Sequence, residues 1–230
     1  MGFDLYGMNP VVRDGYSEPK RPEYPGHPGE YNAETSSITE EEHIQLIKDY
    51  FRKRDSDPEF EKSYKKFLID QGEYEDNNPG VYFRSNVWYW RPIVDWLLNH
   101  IEVLDEDDSD GLSHNSGYTI NKNVATIIGN TIESHHEQGL LEEWVQKKKV
   151  EQLMRAKEPC TICDGTGVRT DLIGLQDLEP FVKDGVRGGK CNGCNGEGLR
   201  EPFDNNYPYS VKALVDFGIF AKESGGFQIC

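Results

Sequence analysis

Four of the five cysteines fall in two copies of one short pattern. These are Cys160-Thr-Ile-Cys163-Asp-Gly165-Thr-Gly167 and Cys191-Asn-Gly-Cys194-Asn-Gly196-Glu-Gly198. A Cys-x-x-Cys turn aims two sulfurs at one point, and two such turns complete a tetrahedron of thiolates about 2.3 Å from a zinc ion. Gly165, Gly167, Gly196 and Gly198 let the chain turn with positive φ and aim backbone N–H groups at the sulfurs, which offsets thiolate charge. The chain from 158 to 202 must therefore fold so that the two turns face each other, around one structural zinc. Four thiolates leave no open position for water, so chemistry at the metal is not expected. A redox dithiol is disfavoured because there are two matching pairs and neither sits in a strand–helix pattern. Disulfides are not expected, since no secretion signal follows Met1.

The repeat resembles the cysteine-rich zinc module of DnaJ-type co-chaperones over Cys160–Gly198. That family uses four repeats for two zinc ions, so two repeats imply one zinc here. The sequence shows no His-Pro-Asp motif of a J-domain, so the resemblance implies the module and not the co-chaperone activity.

Charge limits the partners. The chain carries 25 Lys+Arg against 41 Asp+Glu, a net of −16. Residues 30–76 hold 14 acids and 7 bases, and residues 102–110 hold six acids and no base, so −13 of the total lies in two segments. The module is almost neutral, with 7 bases and 8 acids over 155–202. Binding to a phosphate backbone rests on clustered Lys and Arg, so nucleic acid is not an expected partner. The run at 102–110 reads as a solvated loop, because like charges repel and stay exposed. A calcium loop needs Gly sixth and Glu twelfth; counting from Glu106, Gly111 is sixth but Gly117 is twelfth, and the register fails. Mimicry of nucleic-acid phosphates is a further reading of that acidity. No stretch approaches the ~20 apolar residues of a membrane span. Tyr6 stands where a myristoylation motif wants Ser or Thr. A cytoplasmic chain is expected.

Periodicity places the elements. Gly2–Met8 alternates as a strand, and residues 9–37, rich in Pro, Gly, Tyr and Ser, read as a mobile arm; together they fill 1–38. Thr39 and Glu42 form a capping box. Ser56-Asp57-Pro58 opens a second helix that should stop near Gly72, with Phe60, Tyr64, Phe67 and Leu68 placed to dock. These two helices make an acidic insertion over 39–79. A helical core over 80–157 begins with a strand at 81–84. Trp90-Arg91-Pro92 then opens a helix with Ile93, Trp96, Leu97, His100 and Ile101 on one face. Asn121 caps a helix with Val124, Ile127, Ile128 and Ile132 on one side. Another helix, from Leu140 to about Arg155, carries Leu141, Trp144, Val145, Val150, Leu153 and Met154. Residues 203–230 complete the core: Ser210 caps a helix burying Val211, Leu214, Val215 and Phe217, and the last four residues return as a strand. The expected class is α+β, mostly helical, on a small sheet, with the four-cysteine module inserted.

The segments MGFDLYGMNP, GVYFRSNVWYWRP and SGGFQIC, with the paired repeat, resemble an uncharacterised family of bacterial and phage proteins. The resemblance covers 1–10, 80–96, 114–120, 160–198 and 205–230, and residues 11–79 look like an insertion or extension relative to it. It implies this architecture and a prokaryotic or phage origin, without an activity. A phage origin would imply an inhibitor of a host factor or defence system, which suits an acidic surface.

Tyr82, Arg84, Asn86, Trp88, Tyr89, Trp90 and Arg91 crowd together. One reading is core aromatics around a strand-to-helix turn. The other is a ligand pocket with aromatic walls and an Arg for an anionic group, joined by His114. His135 and His136 point about 100° apart on a helix, do not form a joint ligand pair, and are expected in solvent. Cys230 is expected to be a buried or free thiol. No P-loop, G-x-S-x-G, HExxH or Rossmann fingerprint occurs. The expected function is a zinc-stabilised binding or adaptor protein with a protein partner, a basic one suiting the charge. Small-molecule binding or catalysis at 82–91 is the alternative, and nucleic-acid binding through the module ranks third.

Overall fold

The computed structural model describes residues 2–30, 37–176 and 180–230. The first half contains β1 (Gly2–Gly7), α1 (Glu40–Asp55), α2 (Pro58–Asn77), β2 (Tyr82–Asn86), α3 (Val87–His100), α4 (Glu106–Ser113) and β3 (Tyr118–Ile120). Then come α5 (Lys122–Glu137), α6 (Leu140–Met154), β4 (Glu158–Pro159), β5 (Val168–Arg169) and α7 (Leu172–Leu175). The chain ends with β6 (Phe181–Lys183), β7 (Val186–Lys190), β8 (Leu199–Arg200), a 3-10 turn (Phe203–Asn206), α8 (Val211–Glu223) and β9 (Phe227–Ile229).

The fold is α+β. A four-stranded antiparallel sheet in the order β2-β1-β9-β3 takes its central strands from the two ends of the chain. Buried Phe3 and Leu5 alternate with more exposed neighbours in β1, and buried Phe227 and Ile229 flank exposed Gln228 in β9. This period of two gives the sheet one apolar face. Helices α3 and α8 lie against the sheet, while α5 and α6 pack on α8. Trp90, Trp96, Ile128, Leu141 and Phe217 meet there in one core. Helices α5 and α8 approach closely at two glycines: a Cβ on Gly129 would fall 2.8 Å from the Gly218 carbonyl oxygen.

Several boundaries differ from the sequence reading, each for a local reason. Helix α3 begins at Val87, not Trp90, because the Asn86 side chain caps it, accepting from the N–H groups of Trp88 and Tyr89 at 3.0 and 3.1 Å. Pro92 thus lies inside the helix, where its missing N–H removes one i→i−4 bond. Helix α2 runs through Gly72 to Asn77, since a lone Gly weakens a helix by about 1 kcal/mol without ending it. On α5 the buried face is Ala125, Ile128, Gly129 and Ile132, and Ile127 points outward. On α6 Leu141 and Val145 are buried, but Val150, Leu153 and Met154 are exposed.

The acidic run 102–110, expected as a solvated loop, is helical from Glu106 onward, where it forms the first part of α4. The Asp105 carboxylate accepts from the Asp108 N–H at 2.9 Å, and the Asp108 carboxylate accepts from the Asp105 N–H at 3.1 Å. This reciprocal cap satisfies two orphan donors, and the first-turn acids face the positive end of the helix. At its other end Leu112 is buried, and its carbonyl accepts from Trp90 Nε1 at 2.7 Å.

Helices α1 and α2 pack on each other, and the rings Tyr50 and Phe60 turn toward the arm. Tyr24 packs edge-on against both, and Tyr50 Oη donates to the Tyr24 carbonyl at 3.0 Å. Leu68, expected to dock, is half exposed. The start of the arm pairs with the end of α8: the N–H groups of Asn9 and Val11 donate to the carbonyls of Ser224 and Glu223 at 3.1 and 2.8 Å. Residues 31–36 of the arm lie outside the described residues. Asn78, fully buried, accepts from the Arg13 N–H at 2.7 Å and donates to the Tyr74 carbonyl, joining arm and hairpin.

Candidate metal centre

The two cysteine turns fold alike because the same residues demand the same backbone. In the first, the N–H groups of Cys163 and Gly165 donate to the Cys160 carbonyl at 3.3 and 3.1 Å, and Thr166 donates to Cys163 at 2.9 Å. In the second, Gly196 donates to the Cys191 carbonyl at 3.0 Å and Glu197 to Cys194 at 2.9 Å. The residue after each second cysteine is left-handed, Asp164 at φ 47° and Asn195 at φ 50°. Asp and Asn tolerate that region best among residues with a Cβ. The full pattern is therefore Cys-x-x-Cys-Asp/Asn-Gly-x-Gly. The Asp/Asn position carries a structural role that the cysteine spacing alone had not revealed, although both residues are visible in the sequence.

The expected glycines hold these turns. Gly165, Gly167, Gly196 and Gly198 all have positive φ, between 79° and 86°. The Gly167 N–H points at Cys163 Sγ at 3.1 Å and the Gly198 N–H at Cys194 Sγ at 3.2 Å. These are the N–H-to-sulfur contacts that offset thiolate charge.

All four sulfurs lie within 4.8 Å of one another, and all four cysteines are buried. Cys160 and Cys191 Sγ are 3.8 Å apart, and Cys163 and Cys194 Sγ 3.7 Å. A regular tetrahedron with arms of about 2.3 Å has edges of about 3.8 Å. The donors thus stand where a tetrahedral metal ion requires them. Burial raises the Cys160 thiol, but the N–H groups of Ile162 and Cys163, together with hydrogen bonds from the neighbouring Cys163 and Cys191 thiols, bring it down to about 7. Burial pushes Cys191 up to about 12 against the N–H groups of Gly193 and Cys194. A cation bound at the centre would favour the thiolate form of its ligands.

Two small sheets frame the centre, β4 with β8 and the three-stranded β5-β7-β6. Lys183 Nζ caps the second turn, donating to the carbonyls of Gly196 and Glu197 at 3.0 and 2.8 Å. No spacing rule marks Lys183 in the sequence, because the contact depends on how β6 folds back. Gln152 and Asn205 join the module's two connections: Gln152 Nε2 donates to the Tyr207 carbonyl at 2.9 Å and Asn205 Nδ2 to the Gln152 carbonyl at 3.0 Å.

The residues considered as a ligand pocket go to different places. Trp90 is fully buried in the core, between Phe3 and Phe217. Asn86 is a helix cap. Trp88 packs on Phe203 and Tyr207, beside the module's return to the core. Tyr82 Oη donates to Asp4, and the largely exposed Arg84 stands 3.6 Å from the same carboxylate. Arg91 is half-buried in α3, and exposed His114 pairs with Asp110. Tyr82 borders a shallow cavity of about 320 Å³ with Phe83 and Phe220, which none of the other seven, Tyr89 included, lines. His135, expected in solvent, is half-buried, edge-on to Trp96 and His100 at 5.6 and 5.5 Å; His136 is exposed. Cys230 is a free, exposed thiol.

These features define an α+β domain with an inserted four-cysteine metal-binding module. Comparison with family models, curated proteins and solved structures finds no match to this chain. Among the described residues no helix is long and apolar enough to cross a membrane.

Proposed function

We propose that this chain is a zinc-stabilised binding protein that docks a basic protein partner through its acidic helices. The observation that carries the proposal is the closed set of four buried sulfurs at tetrahedral spacing. Four thiolates in a tetrahedron suit zinc, which brings no redox chemistry of its own. A closed site contributes folding energy and leaves no coordination position for substrate, so the metal's role is to stabilise. Thiols kept as ligands fit a reducing compartment such as the cytoplasm.

The acidic residues support the partner. Glu40, Glu41 and Glu42 on α1 and Glu106 and Asp107 on α4 are exposed. Surface charge of one sign speeds encounter with an oppositely charged protein and makes it salt-dependent. The resemblance to phage and bacterial proteins supports a narrower form, an inhibitor of a host protein.

Metal analysis of the purified chain tests the first half, with one zinc per chain expected. Iron in its place would overturn the zinc assignment. Affinity capture from host extract at about 0.05 M and 0.5 M salt tests the second half. Basic proteins retained only at low salt are expected; captured proteins that are not basic, and whose retention ignores salt, would overturn the docking reading.

A further inference from the structure

A cleft of about 600 Å³ lies between arm residues 21–27 and the two helices of the acidic hairpin. Its walls are aromatic: Tyr24 from the arm, Tyr50 from α1, and Phe60 and Tyr64 from α2. Tyr24 stands edge-on to Tyr50 at 5.6 Å and to Phe60 at 5.3 Å, so the three rings meet at steep angles. Carboxylates of Glu23, Asp55 and Glu61 and guanidinium groups of Arg21 and Arg54 complete the lining.

One of these rings already accepts a guanidinium: Arg21 lies over Tyr64, 5.7 Å from the ring centre. Arg54 lies over Phe51, a ring outside the cleft lining, at 4.6 Å. Arg54 also donates from Nε and Nη2 to Asp55 at 2.9 and 2.7 Å. An anionic ligand would have to break that pair to reach Arg54. Glu23, in contrast, has no hydrogen-bond or ion-pair partner among the described residues. The surrounding residues 30–76 carry a net charge of −7, which draws a basic segment to this end of the molecule.

We infer that this cleft binds the guanidinium group of an arginine side chain on the protein partner. The inference rests on the proposed docking of a basic partner and names where that partner anchors. A guanidinium is planar, weakly hydrated, stacks on rings and meets a carboxylate with two parallel N–H bonds. A lysine ammonium is a compact, strongly hydrated point charge and gains less from aromatic walls. The cleft therefore prefers arginine to lysine, which a merely acidic surface does not.

The test titrates the full-length chain with acetyl-Gly-Arg-Gly-amide and acetyl-Gly-Lys-Gly-amide while the aromatic NMR signals are followed. The arginine peptide should shift the Tyr24, Tyr50, Phe60 and Tyr64 signals saturably, with the lysine peptide weaker by about threefold or more. Glu23→Gln, which keeps the packing, and Tyr64→Leu should each weaken the arginine peptide by about threefold. Equal response to both peptides, or binding unchanged in both variants, would overturn the inference. The two failures are separable: loss of arginine preference removes the cleft, whereas salt-independent capture of the partner removes the docking reading.

Discussion

The backbone N–H of Cys160 donates to the carbonyl of Gly198 at 2.8 Å, and its counterpart, Cys191 to Gly167, closes at 3.0 Å. The last glycine of each turn thus holds the first cysteine of the other. Neither turn is complete alone, and metal binding and folding of the module become one event.

Substituting Cys160→Ser or Cys191→Ser should therefore release the metal and unfold the whole module, not one turn. The main core shares no buried residue with the cysteine cluster, so most helical content should persist. Limited proteolysis should show new cleavage within 158–202, while far-UV circular dichroism changes little. Retained metal and protease resistance in both variants would refute the ligand assignment.

Gly198→Ala should weaken metal binding although it removes no ligand. Its φ is 86°, and an added Cβ would collide with the Gly165 carbonyl oxygen. The left-handed backbone alone costs about 1–2 kcal/mol for a residue with a Cβ. That corresponds to about a tenfold loss of metal affinity at equilibrium. Competition with a chromophoric chelator measures it; Gly185→Ala, left-handed with open space around it, bears the backbone cost without the collision, so a larger loss in Gly198→Ala reports the contact with Gly165.

His135 makes stability fall in acid. Burial, and to a smaller extent the neighbouring His100, hold its pKa below the usual 6.5. As pH falls through about 6.5 the unfolded chain takes up a proton that the native ring resists. This contribution is full above about 6.5 and is lost as pH drops from there toward the folded value. Comparing melting temperatures at pH 7.5 and 5.5, His135→Gln should lose less than the parent chain. Equal losses would remove His135 from the acid response.

The sequence showed the fold where a pattern is carried by residues close in the chain. The cysteine pairs, the Thr39–Glu42 box and the face holding Ile93, Trp96 and Leu97 are of this kind. It misled where two local signals compete. The acids of 102–110 read as a repelling run, yet Asp105 and Asp108 at cap spacing make them a helix start. Trp90-Arg91-Pro92 read as an opening, yet Asn86 had already capped the helix. The fate of the aromatic cluster was hidden for another reason. Whether Trp90 lines a pocket or fills a core depends on Phe3, Leu112 and Phe217, which are distant in sequence.

Trp90 tests that last point. It is fully buried, and its Nε1 donates to the Leu112 carbonyl at 2.7 Å. Trp90→Ala should destabilise the domain by about 3–5 kcal/mol. Trp90→Phe keeps an aromatic ring against Phe217 but orphans the Leu112 carbonyl, at about 1–3 kcal/mol. Urea denaturation gives both values. A change below about 0.5 kcal/mol in either variant, as at an ordinary surface position, would contradict the core assignment.

Helix α4 allows cap and charge to be separated. Asp105→Ala removes the cap while leaving the other acids, and should cost about 1 kcal/mol of stability. Asp105→Asn combined with Asp107→Asn and Asp110→Asn removes three charges but keeps capping chemistry at 105, since Asn caps as well as Asp. If α4 is a docking surface, the triple variant should stay folded and lose salt-sensitive capture of the basic partner, while Asp105→Ala should be less stable yet retain capture. If the triple variant captures the partner as well as the parent at low salt, α4 serves as a capped structural helix. The docking charge would then reside on the α1–α2 hairpin, the other concentrated acidic segment.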